Sequence, residues 1–479
     1  MLPRMITLLL LAAGCQNPDD GKDTSGDTGG DTGNEDVVVD LTPTAVQSPD
    51  ISTVLTVRWT TPAEGTRVVE YGTDTRYGSQ STDDGSTATD HTVMVAGLPT
   101  QSDVHWRVRS VIDGVTHVSA DQVVTTEVRD QDLPDLELGD VVEGAYHKGL
   151  RLMPITGSPN PIVLVDDTGD IVWWTYADEG YTVSQAWLDV DGTHVLYMVA
   201  DDTRKTDKGA VIRVPLDHPQ EQESIRLTMG HHSFFQLPNG HLVYFAADIR
   251  PVEDQNVVGD AIIEVDADGA NPRTIFNTWD RWTPDLALVK ERDSHFYRQG
   301  MDWTHGNSLR YNAADESIVA SFHNLDTVLK VKLDGTVDWV IGATEYSPES
   351  TYTFTGEDSA FSDQHNAHEL ANGNVLMLDN GPYCSDVDCY SEATEYALDD
   401  TNGTFTEVWN YEWTRDNVVF LMGDVQRFED DGNTLINWGA KGELMEVTQS
   451  GEVVWDLYSA LGAVFAFGNQ YETVGGVVR

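Results

Sequence analysis

Four histidines in the second half of the 479-residue chain carry residue types and spacing that could do chemistry. His232 lies in GHHSFFQLPNG (Gly230–Gly240), His305 in DWTHGNSLRY (Asp302–Tyr311), His323 in SFHNLDTVLKV and His365 in SDQHNAHELANGNVLMLDNG (Ser362–Gly381). Each stands at the edge of a short apolar run, in a chain with only 14 histidines. Asn307 follows His305 by two positions, and Gln364 directly precedes His365. An imidazole titrates near neutral pH, so it serves as nucleophile, acid–base group or metal ligand. Read singly, a strand-edge histidine is an ordinary loop residue. Several at equivalent points of successive repeats converge on one pocket if the repeats are arranged radially. A metal site is the competing chemistry, with His365-x-x-His368 and the His231–His232 pair as imidazole sources. A zinc hydrolase presents its two histidines on one helical face, whereas these sit in a turn before a strand, so no metal ligand is assigned.

The elements that must position these residues repeat. Pro161–Tyr176, Trp187–Asp217, NGHLVYFAAD with AIIEVDADG, Glu316–Gly342, NGNVLMLDNG with TFTEVWNYEW, and Gly432–Ser459 share one theme. A Gly-containing turn precedes an apolar strand, a second strand leads to an Asp-Gly turn, and a third ends near tryptophan. The spacing is that of propeller blades, about 40–50 residues, and helix-period patterns are almost absent. The predicted fold is all-β, with a six-bladed β-propeller over residues 135–479. The tryptophans and Asp-Gly turns then read as blade packing. A parallel solenoid fits less well, because the connections are long and irregular.

Ahead of the repeats, LTVRWTT (Leu55–Thr61), VVEYGT (Val68–Thr73), HTVMVAGL (His91–Leu98) and VHWRVRSVIDG (Val104–Gly114) alternate between Gly/Asp/Ser/Pro turns. Short strands at this rhythm predict a β-sandwich over residues 41–130. Their order, with Trp59 early, then VEYG, then GLP before RVRSV, resembles a fibronectin type III domain, although Val104 stands where that family has tyrosine. The resemblance implies a spacer or docking role, and His91, His105 and His117 receive no function. Residues 16–40 include GKDTSGDTGGDTGNED (Gly21–Asp36), which has no apolar residue and reads as a self-repelling tether.

The start, MLPRMITLLLLAAGC, has Arg4, an apolar run and small residues before Cys15, the layout of an export signal. Ala12-Ala13-Gly14-Cys15 resembles a bacterial lipobox, which implies a lipidated Cys15 after removal of the leader. The expectation is an exported, membrane-anchored lipoprotein, periplasmic or at the cell surface, touching the membrane through its lipid only. In an exported chain Cys384 and Cys389 would pair as a disulfide, and this lone pair lacks the second pair zinc needs. The 28 basic and 80 acidic residues leave a net charge of −52. Such a field repels phosphates, which argues against nucleic acid as a partner. No spacing among the acidic loops matches an EF-hand, and the oligomeric state is left open, a homodimer included.

The histidine segments also resemble a known family, the bacterial arylsulfate sulfotransferases. DWTHGNSLRYNAADESIVAS followed by GTVDWVIG, the QHNAHELANGNVLMLDNG element, and HHSFFQLPNG carry the likeness, roughly from His231 to Trp455. It implies a six-bladed propeller that uses no nucleotide sulfate donor and no cofactor, and that takes aryl sulfates and phenols as partners. Sulfuryl passes from one phenol to another through a sulfated histidine. By position, His365 matches the nucleophile, with Gln364 beside it. His305 and Asn307 match the pair that holds the sulfate oxygens and protonates the leaving phenolate. His232 matches the histidine of an earlier blade, and a small disulfide is a family trait. The family's S-x-R element falls at Ser321-Phe322-His323, so His323 replaces arginine, a part-time cation in place of a fixed one. Phe234, Trp303 and Phe322 are aromatic candidates for stacking a phenol, with core packing the commoner fate. A coat of −52 opposes an anionic substrate, and salt mutes it beyond about 8 Å. Transfer activity is therefore expected to rise with moderate salt. A flat or falling profile of initial rate against sodium chloride would count against the assignment.

Overall fold

The computed structural model describes residues 37–38, 41–83, 85–157, 159–201, 207–293, 295–356, 360–381, 390–413, 418–459, 462–472 and 474–475. The leader, Cys15, most of the expected tether and the Cys384/Cys389 pair lie outside these residues. Among the described residues, no helix is long and apolar enough to cross a membrane.

The N-terminal strands form two layers. Val54–Gly65 pairs with Ala88–Ala96 and Thr44–Gln47; Asp103–Ile112 pairs with Val68–Gly72, Val115–Val118 and Gln122–Thr125. The layers join where Gly65 meets Ile112. In DVHWRVRSVI every second side chain is buried, the period of a half-buried strand. Val104, Trp106 and Val108 thus face Leu55, Val57 and Trp59. Val37–Val38, inside the stretch expected as tether, pairs in parallel with His117–Val118.

Six sheets in a ring form the propeller. Blade 1 comprises Leu150–Thr156, Asn160–Val165 and Ile171–Ala177; blades 2 to 6 begin with inner strands Tyr181–Leu188, Gly230–Gln236, Gly306–Asn312, His365–Glu369 and Asp424–Arg427. Both chain ends sew the ring shut. Leu136–Val141 adds to the outer edge of blade 6, and Asn469–Tyr471 adds to the inner edge of blade 1. The sandwich is fused to this ring, since Ile51, Val54, Met94 and Ala96 share one core with Leu152, Val172 and Trp173 of blade 1. Two short helices depart from the expected all-strand pattern: α1 (Thr278–Arg281) and α2 (Leu286–Arg292) lie in the connection from blade 3 to blade 4. Asp285 caps α2 by accepting from the Ala287 amide at 2.9 Å.

One side chain spans the axis. Arg310, on the inner strand of blade 4, pairs with Asp424 of blade 6 and donates to Asn469 of blade 1 at 3.3 Å. Its guanidinium also lies 4.8 Å from the ring centres of Trp187, on blade 2, and Phe467. Removing one partner of a buried pair leaves an uncompensated charge, a loss of about 3–5 kcal/mol. Arg310→Ala is therefore expected to lower the urea-unfolding free energy by about that much. Arg310→Met with Asp424→Leu should recover most of it. An Arg310→Ala protein as stable as wild type would show that the pair does not hold the blades together.

Candidate active site

Register breaks aim the site residues. The inner strands of blades 2 to 5 each slip near their start, at Val183/Gln185, His231/Phe234, Gly306/Ser308 and His365/His368. A bulge leaves one residue without a ladder partner and turns its side chain off the sheet face. His232 (φ +54°) and Asn366 (+52°) sit there, and His305 (+48°) just before its strand, in the left-handed region, uncommon for residues with a Cβ. Backbone of this kind concentrates at functional sites. The four histidines converge. Ring centres are 4.6 Å apart for His232–His305, 5.0 Å for His305–His323 and 5.6 Å for His323–His365. They line one cavity of about 370 Å³ together with Asn307.

Each ring is fixed through Nδ1. The Asn380 amide donates to the carbonyls of Val419 (2.6 Å) and Met422 (3.0 Å), so its Oδ1 faces His365 Nδ1 at 2.8 Å. The Asp363 carbonyl lies 3.1 Å from the same nitrogen. With two acceptors there, Nδ1 bears the proton and Nε2 the lone pair. Burial pushes His365 down to about 4, with His305 adding to the shift and the Asn380 bond opposing it. The ring is neutral at neutral pH, the state in which imidazole is a nucleophile. His323 is held in the same way: Asn324 donates to the Asp302 carbonyl (2.9 Å) and so turns Oδ1 to His323 Nδ1 (2.9 Å). Burial, with His305, His365 and Arg292 nearby, drives His323 well below the ordinary histidine range.

The other two rings rest on carboxylates. His305 Nδ1 donates to the buried Asp302. His232 Nδ1 lies 2.8 Å from His231 Nδ1, and His231 Nε2 lies 2.9 Å from Asp260 Oδ1. Asp260 Oδ2 accepts from the Thr304 hydroxyl (2.5 Å) and the Gly306 amide (2.6 Å), which fixes the turn that carries His305. Burial alone would raise Asp260, yet His231 and these donors hold it below its ordinary value. Gly306 is required there, because a Cβ would stand 2.8 Å from the Phe245 ring.

The model of the family described as Arylsulfotransferase (ASST) matches residues 142–460. The chain belongs to that family. Arylsulfate sulfotransferase AssT of Escherichia coli O6:H1 is 23% identical over an alignment of 361 residues that covers 60% of this chain and 58% of that protein. The match thus spans less than two thirds of that relative's length. Among solved structures, a protein of unknown function from Bacteroides thetaiotaomicron aligns at a TM-score of 0.38 and 12% identity, covering 88% of this chain and 98% of its own. The periplasmic gluconolactonase PpgL of Pseudomonas aeruginosa aligns at 0.36 and 11%, covering 68% and 99%.

Within this arylsulfotransferase-family chain the sequence-predicted residues separate. His232, His305, Asn307, His323 and His365 line the cavity, and Asn307 is held to its wall by donating to the Gln364 carbonyl at 2.7 Å. Gln364, expected to bind substrate, instead turns its amide into the wall, donating to Ser321 Oγ at 2.9 Å and the Thr327 carbonyl at 3.2 Å. Phe234, Trp303 and Phe322 are packed between blades. The aromatic wall comes from Phe296, Phe420 and Phe467, on connections with no periodic signal. His365 and His368 do not share a site, since His368 faces a second cavity of about 430 Å³ beyond Arg310. The sequence marks His231 only as a metal candidate and gives Asn380 no role of its own. Arg292 of α2 lies behind His323, donating to its carbonyl (3.0 Å) and pairing with Asp326 (2.9 Å) and Asp363. Among the described residues, His147, Asp430 and Asp431 are close enough to share a cation, where blades 6 and 1 close.

The His365 geometry is testable without any reaction. In a ¹⁵N-detected NMR titration, His365 is expected to stay neutral with its proton on Nδ1 down to about pH 4. Asn380→Leu should release that tautomer. A His365 signal that titrates near an ordinary histidine, or carries its proton on Nε2, would contradict the arrangement.

Proposed function

We propose that the protein moves a sulfuryl group from a phenolic sulfate ester to a phenol acceptor, without a nucleotide sulfate donor, through a sulfated His365. The observation that carries this reading is His365 itself, a neutral ring with Nδ1 bound to Asn380 and its Nε2 lone pair in a cavity walled by imidazoles and Phe296. Sulfuryl transfer resembles phosphoryl transfer, with a loose in-line transition state and charge on three equatorial oxygens, stabilised by positioned donors. His365 Nε2 attacks sulfur as the donor's S–O bond breaks. The phenol leaves with a proton from a cavity histidine, and the acceptor phenol then reverses the sequence. His305, backed by Asp302, and Asn307 lie where they can hold the sulfuryl oxygens. His323 contributes shape rather than a fixed charge in its neutral state.

The rest of the chain fits an exported enzyme. A lipidated Cys15 would anchor it through the acidic tether, and the sandwich, fibronectin III-like in its strand order, would hold the propeller off the membrane. Cys384 and Cys389 would close a small disulfide loop.

Incubation with p-nitrophenyl sulfate and a phenol acceptor should release p-nitrophenol and form the acceptor's sulfate. His365→Ala should reduce the rate at least about 10³-fold, as loss of a covalent nucleophile does. Mass spectrometry of the quenched wild-type enzyme should find a sulfuryl adduct on the His365 peptide. Turnover that survives His365→Ala unchanged would sink the mechanism. The missing cation at position 323 favours one second reading, a binding propeller without turnover. An inert wild type that still binds aryl sulfate would establish it.

A further inference from the structure

The rings form an arc, His232–His305–His323–His365, with the nucleophile at one end. An in-line displacement places the leaving oxygen on the side of sulfur opposite the attacking nitrogen. Along that arc His232 stands at the end away from His365, the end to which a leaving oxygen opposite the attacking nitrogen is assigned. Its Nδ1 faces His231, so proton exchange with a bound phenol goes through Nε2.

Behind His232 the contacts run in one direction. Asp260 is almost fully buried and accepts on Oδ2 from Thr304 and Gly306, which leaves Oδ1 facing His231 Nε2. A carboxylate can only accept, and a charged oxygen 2.9 Å away favours the His231 tautomer with its proton on Nε2. Its Nδ1 is then an acceptor and fixes the His232 proton on Nδ1. His231 is 3% exposed and stacks against Phe245, so it cannot touch substrate. A neutral His232 in that tautomer is a base at Nε2. Once protonated, it is a cation whose charge is passed through His231 towards Asp260.

We infer that Asp260 and His231 are positioning residues that make His232 the general acid and base of the reaction, leaving His305 to the sulfuryl oxygens. The inference rests on the transferase reading. In the donor half, the His365 Nε2 lone pair forms the N–S bond and the S–O bond breaks with its electrons on the phenolate oxygen. That oxygen takes the proton from His232 Nε2. In the acceptor half, neutral His232 removes the proton of the incoming phenol, whose oxygen bonds to sulfur while the N–S pair returns to His365. His232 ends as it began.

The test is the dependence of rate on the leaving group. A good leaving group needs little protonation; a poor one needs a full proton. His231→Phe keeps the aromatic body on Phe245 and breaks the relay. Asp260→Asn places a donor opposite His231 Nε2 and so reverses both tautomers. Burst rates for each are compared on p-nitrophenyl sulfate and on unsubstituted phenyl sulfate, with thermal melts confirming the fold. The expected result is a loss of about 10²-fold or more on phenyl sulfate, the range of general acid catalysis, and under about tenfold on p-nitrophenyl sulfate. An equal loss on both donors would mean a purely structural role, and no loss would mean an idle relay; either overturns the inference while transfer stands. If His231→Phe does not fold, Asp260→Asn and His231→Gln carry the comparison. A wild type inert on both donors removes the transferase reading and the relay together.

Discussion

The partner behind Nδ1 decides what each cavity histidine can do. A side-chain amide oxygen behind a buried ring fixes the tautomer without adding charge, so desolvation wins and the ring stays neutral. That is the position of His365 with Asn380 and of His323 with Asn324. A carboxylate behind the ring favours the imidazolium. That is the position of His305 with Asp302 and, through His231, of His232 with Asp260. Four chemically identical side chains within one cavity are thereby divided into two kinds. The division needs no metal and no unusual residue. It needs the atoms behind each ring to be held in place.

Most of that holding is done by neighbouring blades. Asp260 belongs to blade 3 but fixes the turn of blade 4 that carries His305. Asn307 of blade 4 binds the carbonyl before His365 of blade 5. Asn380 of blade 5 is oriented by carbonyls of the segment leading into blade 6, and Asn366 donates to the Gly423 carbonyl at 2.6 Å in the same segment. A radial ring is suited to this, because each inner strand starts beside the next. Shifts of an ångström between blades would cost tautomer control before they cost fold.

The sequence carried the architecture and the cavity histidines well, for physical reasons. Strand alternation and turn chemistry repeat at blade spacing, so the six sheets announce themselves. His232, His305 and His365 lie where a strand begins, and a ring brings such points together. What stayed hidden depends on direction rather than type. Gln364 and His365 are neighbours, yet one amide turns into the wall and one ring into the cavity, as successive side chains of extended backbone point to opposite sides. His231 and His232 are distinguished only by Asp260, 29 and 28 residues further on. Phe296, Phe420 and Phe467 sit on connections whose aromatic content has no period to reveal its purpose. The helices α1 and α2 are too short to impose a 3.6-residue pattern.

The position of greatest departure, His323, is understandable in the same terms. An arginine there would bring a fixed cation into a cavity that must keep His365 neutral while the protein as a whole carries −52. His323 lies between His305 and His365, and its burial, before any charge on its neighbours, lowers its affinity for a proton. Arg292 supplies a cation one layer back, where Asp326 and Asp363 already balance it. The two rings backed by carboxylates, directly or through His231, are His305 and His232. Each carries its own counter-charge in the wall, so a proton gained at Nε2 does not have to be stabilised by the substrate. Donors held in this way are arranged before any ligand arrives, which is what electrostatic preorganisation requires. Both backings end on buried aspartates, Asp260 and Asp302, which lie deeper in the wall than any of the imidazoles lining the cavity.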